Sequence, residues 1–516
     1  MALTLSLSAQ ETTEWWFAET DGKGVAATAA HQLIDQDSSL KPSRVIVAVL
    51  DGGTDTYHED LAEVIWVNEG EIEGNLIDDD GNGYVDDIHG WSMLSGPGGV
   101  IGCDNTEMVR MARDLKARKA AGEKLSKEDK RLLKELNSKI KKEVKQAKRT
   151  LRFLKPLGRA ADDIVEECGE DYTVTCVHQV KESGRGFLYK TYCTAIANLK
   201  TSGWSNYELD QKLFAGYRQF NDHVLYHFNM DYDPMASIDQ PLGDNQVVGG
   251  FAEHGTHVAG IIAAQHDNNM GVKGIADNVD IMVLRVVPNG DERDEQVAEA
   301  IRYAVDNGAS IINMSFGKSY SANPEVVDEA TRYAESHDVL MIHAAGNEAT
   351  NLDEEICYPN AVDEQNQRTY SHWIEVGAST PFGTPAAFSN YGQYVDVFAP
   401  GASINSTMPG NHYLENDGTS MAAPVVSGVA AVLRGLFPEL TAAQIKQILM
   451  RSAVVVDTDV RIPGSKKEVP FSELTASGVV NLEYAIRLAK TFLPQGAPES
   501  LDVPSQRVVQ VEPLVE

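Results

Sequence analysis

Arg44-Val45-Ile46-Val47-Ala48-Val49-Leu50-Asp51-Gly52-Gly53 is the stretch that decides the fold. The residues from Val45 to Leu50 are apolar without alternation, so both faces of the strand they form must be covered. That is the habit of a parallel sheet enclosed by helices. Comparable runs recur at 281–287, 310–314, 339–343, 373–376 and 395–398. Between them, amphipathic patterns predict helices over 254–265, 292–307, 324–337 and 420–436. Strand–helix alternation predicts an α/β fold, a doubly wound, mostly parallel sheet with helices on both faces. Such sheets carry their sites at the C-terminal ends of strands, and both Asp51 and Asn347 follow predicted strands.

The chain has 516 residues, a 42% hydrophobic share and a formal net charge of −32. That length accommodates one large domain with insertions, or two domains. Strong acidity argues against nucleic acid as a partner. No run of sequence reads as long enough to cross a bilayer, so no transmembrane segment is expected. Charge is nonetheless distributed in blocks. Residues 110–159 hold 19 Lys/Arg against 6 Asp/Glu, which leaves 25 basic and 70 acidic side chains elsewhere. Gly122 breaks a first helix there, and Ser126 with Asp129 predicts a capping box. Leu132, Leu136, Ile140, Val144, Ala147, Leu151 and Leu154 then form one apolar stripe, which Pro156 is expected to stop. A basic helical hairpin over about 105–155 follows, its lysines a solvated outer face.

Four residues carry the chemistry. Ser420 lies in Asp417-Gly418-Thr419-Ser420-Met421-Ala422-Ala423-Pro424, where a serine at a helix start meets backbone N–H groups that stabilise negative charge. Upstream stand Asp51, His254 in Glu253-His254-Gly255-Thr256-His257, and Asn347 in Ala344-Ala345-Gly346-Asn347-Glu348. A serine hydroxyl needs a base to take its proton, and imidazole titrates near neutral pH. Singly, each residue also reads as a turn former or a packing residue. In the order Asp, His, Asn, Ser, and inside these motifs, they resemble the subtilisin-like serine peptidases, the subtilases.

The resemblance implies a doubly wound subtilisin-like domain over 11–494 and a serine endopeptidase acting through an acyl-enzyme. It makes His254 the base, Asp51 its orienting carboxylate, Asn347 an oxyanion donor beside the Ser420 N–H, and His257 a packing residue. Residues 313–317 resemble the edge segment that pairs with an extended peptide substrate. Ser315, Phe316 and Gly317 would form one wall of the pocket for the residue before the scissile bond, with Ala344, Ala345 and Gly346 opposite. These small side chains leave room for a sizeable apolar group. Asp353, Glu354 and Glu355 follow nearby and leave a basic preference open. Met421 is expected to be exposed to oxidants. A long insertion between Asp51 and His254, over about 68–247, resembles that of one bacterial branch of the family. The alternative is a catalytically inactive protein that keeps the fold and binds peptides.

Asp78, Asp80, Asn82, Tyr84 and Asp86 match the first positions of a calcium loop of the EF-hand type. The twelfth position is His89 in place of glutamate, so another carboxylate such as Asp87 would complete a structural calcium site. A second site is expected where Asp60 and the Asn268-Asn269 loop resemble the family's calcium positions. Cys168, Cys176, His178 and Cys193 lack a zinc knuckle, and a Cys168–Cys176 disulfide is the better reading for an exported chain. Residues 1–10 read as a signal-peptide remnant and 495–516 as a loose tail, which places the protein outside the cytoplasm: secreted, periplasmic or on a bacterial cell surface.

Overall fold

The computed structural model describes residues 15–18, 23–184, 186–238, 242–363 and 365–492. The expected signal remnant and C-terminal tail lie outside the described residues. The chain divides into two compact units, Met1–Gly102 with Ile238–Glu516, and Cys103–Ser237.

The larger unit is built on seven strands: β1 (Val45–Asp51), β2 (Gly90–Ser92), β3 (Val279–Arg285), β4 (Ile311–Met314), β5 (Leu340–Ala344), β6 (Trp373–Ser379) and β7 (Val397–Pro400). They lie in the order β7-β6-β5-β4-β1-β3-β2, and every pairing is parallel. The unbroken apolar run of β1 is explained by its two faces. Val45, Val47 and Val49 enter a core with Val258, Ile261 and Ile262 of helix Glu253–Ala263 and with helix Thr419–Leu436. Ala48 and Leu50 enter a second core with Ile301 and Ala304 of helix Asp294–Asp306 and Ala330 of helix Pro324–Ser336.

The chain passes from β1 to β2 and β3 on one side of β1 and then crosses to β4 on the other, a reversal of strand order beside β1 of the kind that opens a crevice at the C-terminal ends of strands. Register then sets the site. Leu50 pairs with Met314, so Asp51 and Ser315 leave neighbouring strands side by side, and Met314 pairs with His343 three residues before Gly346.

Helix Thr419–Leu436 corrects one expectation, since it is long and apolar enough to cross a membrane by length and composition. All of its residues except Ser420 and Arg434 are buried in the core of this unit, which accounts for their apolarity. Gly90–Ser92 belongs to the same sheet, and the segment from 68 to 102 is part of the larger unit.

The smaller unit is helical throughout. Helix Glu107–Ala120 ends before Gly122, whose φ of 88° suits glycine. The second helix starts at the predicted capping box: Ser126 Oγ accepts from Asp129 N (2.9 Å) and Asp129 Oδ2 from Ser126 N (3.1 Å). Every Lys and Arg from Lys127 to Arg159 is exposed, while Leu136, Ile140, Ala147 and Leu151 are buried. Pro156 does not stop this helix, which runs Lys127–Cys168. An interior proline costs about 3 kcal/mol. Beyond it, Leu157, Ala160, Ala161 and Ile164 are buried against Val177, Val180, Ile196 and Leu209. Burying one leucine or isoleucine contributes roughly 1.5–3 kcal/mol, so packing prevails. Cys168 and Cys176 form a disulfide, which leaves no zinc set with His178 and Cys193.

Candidate active site

Asp51 closes β1 and is almost wholly buried. One of its oxygens accepts from Gly52 N at 2.7 Å, and both lie against His254 Nδ1, at 2.9 and 2.8 Å. His254 sits in the first turn of helix Glu253–Ala263, and its side chain is 43% exposed. Gly255 permits this approach: a Cβ there would lie 2.1 Å from Gly53 O. Thr256 ties the helix start to the β1 exit, donating to Ala252 O (2.6 Å) and accepting from Asp55 N (2.8 Å). Burial works against a charged His254 ring. The Asp51 carboxylate more than offsets this by its charge and its hydrogen bond, and holds the pKa above the ordinary value. His257 is buried and bonded to Leu414 O at 2.9 Å, and burial pushes it down to about 4, as suits a packing residue.

Ser420 lies in the first turn of helix Thr419–Leu436. Its hydroxyl donates to Ser315 O (3.0 Å), and the Ser315 hydroxyl donates to Ser420 O (3.0 Å), so β4 and the helix start are stitched together. Asn347 follows β5, and its side-chain oxygen accepts from Thr419 N (2.9 Å) and Thr419 Oγ1 (3.0 Å). Two donors on that oxygen fix the amide's orientation and leave its NH₂ as the outward donor.

Thr419 and Asn390 hold the loop that carries Asn347, and sequence reasoning gave neither a role. Thr419 Oγ1 also accepts from Gly346 N at 3.1 Å. Asn390 clamps the same loop by donating to Ala345 O (2.7 Å) and accepting from Glu348 N (3.1 Å) and Thr350 N (2.9 Å). The Gly-Thr pair before Ser420 was a visible signal for the first. None marks the second.

A cavity of about 380 Å³ adjoins Ser420 and Asn347. Of the six residues assigned to the pocket, Phe316, Gly317, Ala344 and Gly346 line this cavity, and Ser315 and Ala345 do not. Ser315 is occupied with Ser420, and Ala345 packs into a core with Val395 and Phe398. Glu355 reaches the cavity, whereas Asp353 folds back to accept from Gln393 N (3.0 Å) and Tyr394 N (3.1 Å). Met421, expected to be exposed, is buried in the main core, because its helical position points inward from Ser420.

The acidic loop differs from an EF-hand. Asp78 caps Gly81, Asn82 and Gly83 N–H groups, and Asp86 is buried and accepts from Leu76 N at 2.9 Å. Tyr84 packs its ring on Trp91 and Tyr303. The carboxylates that converge are Glu71, Asp80 and Asp87, with one oxygen of each within 4.8 Å of the others. Asp80 and Asp87 were anticipated, and Glu71 was not. At the second expected position, Asp60 accepts from Asn268 Nδ2 at 2.5 Å and Val272 N at 3.1 Å.

Residues 43–479 match the model of the subtilase family. A thermophilic serine proteinase of Bacillus sp. (strain AK1) is 37% identical over 227 residues, 44% of this chain and 48% of that protein. Subtilisin Savinase of Lederbergia lenta is 33% identical over 236 residues, 45% of this chain and 77% of that protein. A solved structure of proteases from Pseudoalteromonas arctica PAMC 21717 is 29% identical with a TM-score of 0.38, covering 46% of this chain and 70% of that one. The chain spans about half the length of the first curated relatives it matches. A family match across most of its length, on a parallel sheet that carries these motifs at its strand ends, makes the chain a member of the subtilase family.

Proposed function

We propose that the protein is a serine endopeptidase that hydrolyses peptide bonds through Ser420, His254 and Asp51. The observation that carries this reading is the Asp51–His254 pair at the end of β1, with both carboxylate oxygens within 2.9 Å of Nδ1. That contact makes Nδ1 the protonated nitrogen and leaves Nε2 free to act as base. The Ser420 hydroxyl turns from Ser315 O, gives its proton to Nε2 and attacks the substrate carbonyl. The developing oxyanion is met by the Ser420 N–H and the Asn347 NH₂, which Thr419 has already aimed. The imidazolium returns its proton to the leaving amine, and water then cleaves the acyl-enzyme by the same route. Protein substrates in extended form would lie along the segment 313–317.

Two finer readings accompany this one. A structural calcium ion would be held by Glu71, Asp80 and Asp87, whose oxygens converge within 4.8 Å of one another, as a hard cation with oxygen ligands requires. Export to an oxidising compartment is supported by the Cys168–Cys176 disulfide.

The test is a fluorophosphonate probe together with Ser420→Ala. The probe is expected to label the wild-type chain on Ser420 alone. The variant is expected to lose labelling and peptide hydrolysis while its melting temperature is kept. A wild-type chain that neither labels nor hydrolyses peptides would favour a peptide-binding member of the fold.

A further inference from the structure

We propose that His31, His266 and Asp277 bind one zinc ion, which ties helix Ala27–Gln36 to the chain that follows helix Glu253–Ala263. The site shares no residue with the acidic loop or the cavity beside Ser420, and it does not depend on the peptidase reading. One ligand atom from each of the three residues lies within 4.8 Å of the other two. They come from separate segments: His31 from the helix, His266 from the loop after Ala263, and Asp277 from the turn before β3. The ring centroids of His31 and His266 are 4.9 Å apart. Both rings are half-buried, and the buried ring of Phe17 packs on each, at 6.1 and 6.0 Å between centroids.

The hydrogen bonds that orient a metal-binding histidine are already made. His31 Nε2 lies 2.9 Å from Ile275 O, and His266 Nε2 lies 2.6 Å from Gly274 O. A carbonyl only accepts, so each Nε2 carries the ring proton, and each neutral ring keeps its lone pair on Nδ1. Metal-bound imidazoles are held in this way, donating from the nitrogen that does not bind. The two carbonyls are themselves fixed. Gly274 N donates to Ala264 O (2.9 Å), Ile275 N to Ile261 O (3.0 Å) and Ala276 N to Ile262 O (2.9 Å). On the other side of Asp277, Asn278 O accepts from Val45 N (2.8 Å) at the start of β1. The backbone that presents all three ligands is therefore anchored in the core before any ion arrives.

Two imidazoles and one carboxylate suit zinc, whereas calcium takes oxygen ligands. Three protein ligands leave a fourth tetrahedral position to water. Bonds of about 2.0–2.2 Å put the ligands of one zinc roughly 3.3 Å apart, so the set has only to contract modestly. Asp277 is exposed and can turn inward to do so. Its charge attracts a cation to the His266 ring, against the repulsion of Lys273.

The experiment is calorimetric titration of zinc chloride into the full chain carrying Ser420→Ala, which prevents self-cleavage, with calcium in excess to occupy oxygen-ligand sites. Thermal melts with and without zinc are run in parallel. One zinc per chain is expected, with a Tm that rises with zinc concentration. Asp277→Asn and His31→Gln are each expected to weaken binding by at least roughly tenfold and to shrink the rise in Tm. The zinc-free Tm should hardly change in Asp277→Asn, whose position is exposed, so that variant decides the matter if His31→Gln fails to fold. Absence of zinc binding overturns the proposal. So does equal affinity in the parent chain and Asp277→Asn, which would place the ion elsewhere, such as at the adjacent rings of His223 and His227.

Discussion

Replacing Thr419 by valine keeps the shape of the side chain and deletes one hydroxyl, so it isolates what that hydroxyl does. In the structure it donates to Asn347 Oδ1 (3.0 Å) and accepts from Gly346 N (3.1 Å), while Thr419 N holds the same Asn347 oxygen at 2.9 Å. The variant thus removes one of two tethers on the oxyanion donor and leaves the other. A neutral hydrogen bond is worth about 1 kcal/mol net, or about fivefold in rate if its whole effect is felt in the transition state. The Gly346 N–H left without its acceptor costs about 1–3 kcal/mol, part of which appears as a shifted loop and part as lost stability. The expected result is a kcat lower by roughly 5–30-fold with little change in KM. That falls short of the roughly 10²–10³ lost when an oxyanion donor is removed outright, as in Asn347→Leu. Steady-state kinetics on one anilide substrate, in a cycle with Asn347→Leu, checks the route. If Thr419 acts by aiming Asn347, its replacement changes kcat little once Asn347 is gone. The same loss in both backgrounds, or no loss in the wild-type background, would refute the reasoning.

Acid should loosen the larger unit. His257 and His372 are buried and both pushed down to about 4, chiefly by burial, whereas an unfolded chain takes up its proton near 6.5. Their contribution is complete above about pH 6.5 and lost as pH falls toward 4, up to about 3 kcal/mol each. Thermal melts of Ser420→Ala across that interval should show a falling Tm, and a flat profile would contradict it. A calcium chelator is expected to lower Tm in the wild-type chain but hardly in Glu71→Gln, and equal shifts would discount the Glu71, Asp80 and Asp87 site. Pro156→Ala should raise the unfolding free energy of the helical unit by up to about 3 kcal/mol, read as a higher denaturant midpoint, because the helix already passes through this position. A loss of stability there would mean the ring itself is needed for packing.

Residues that act through their neighbours in sequence were the ones legible beforehand. The β1 run declared both covered faces, and the motifs around His254, Asn347 and Ser420 put each side chain at a strand or helix end, where the fold does place them. What escaped depends on partners distant along the chain. Pro156 reads as a helix stop until Val177, Ile196 and Leu209 are known to bury the residues after it. Glu71 stands outside the Asp-rich motif, yet its oxygens accept from Asp79 N (2.8 Å) and Asp86 N (3.0 Å), which draws it into the carboxylate cluster. Asn390 lies 43 residues beyond Asn347 and works through backbone amides, which no side-chain pattern reveals. Met421 erred in direction alone: adjacent helical positions point about 100° apart, so an accessible serine does not make its neighbour accessible.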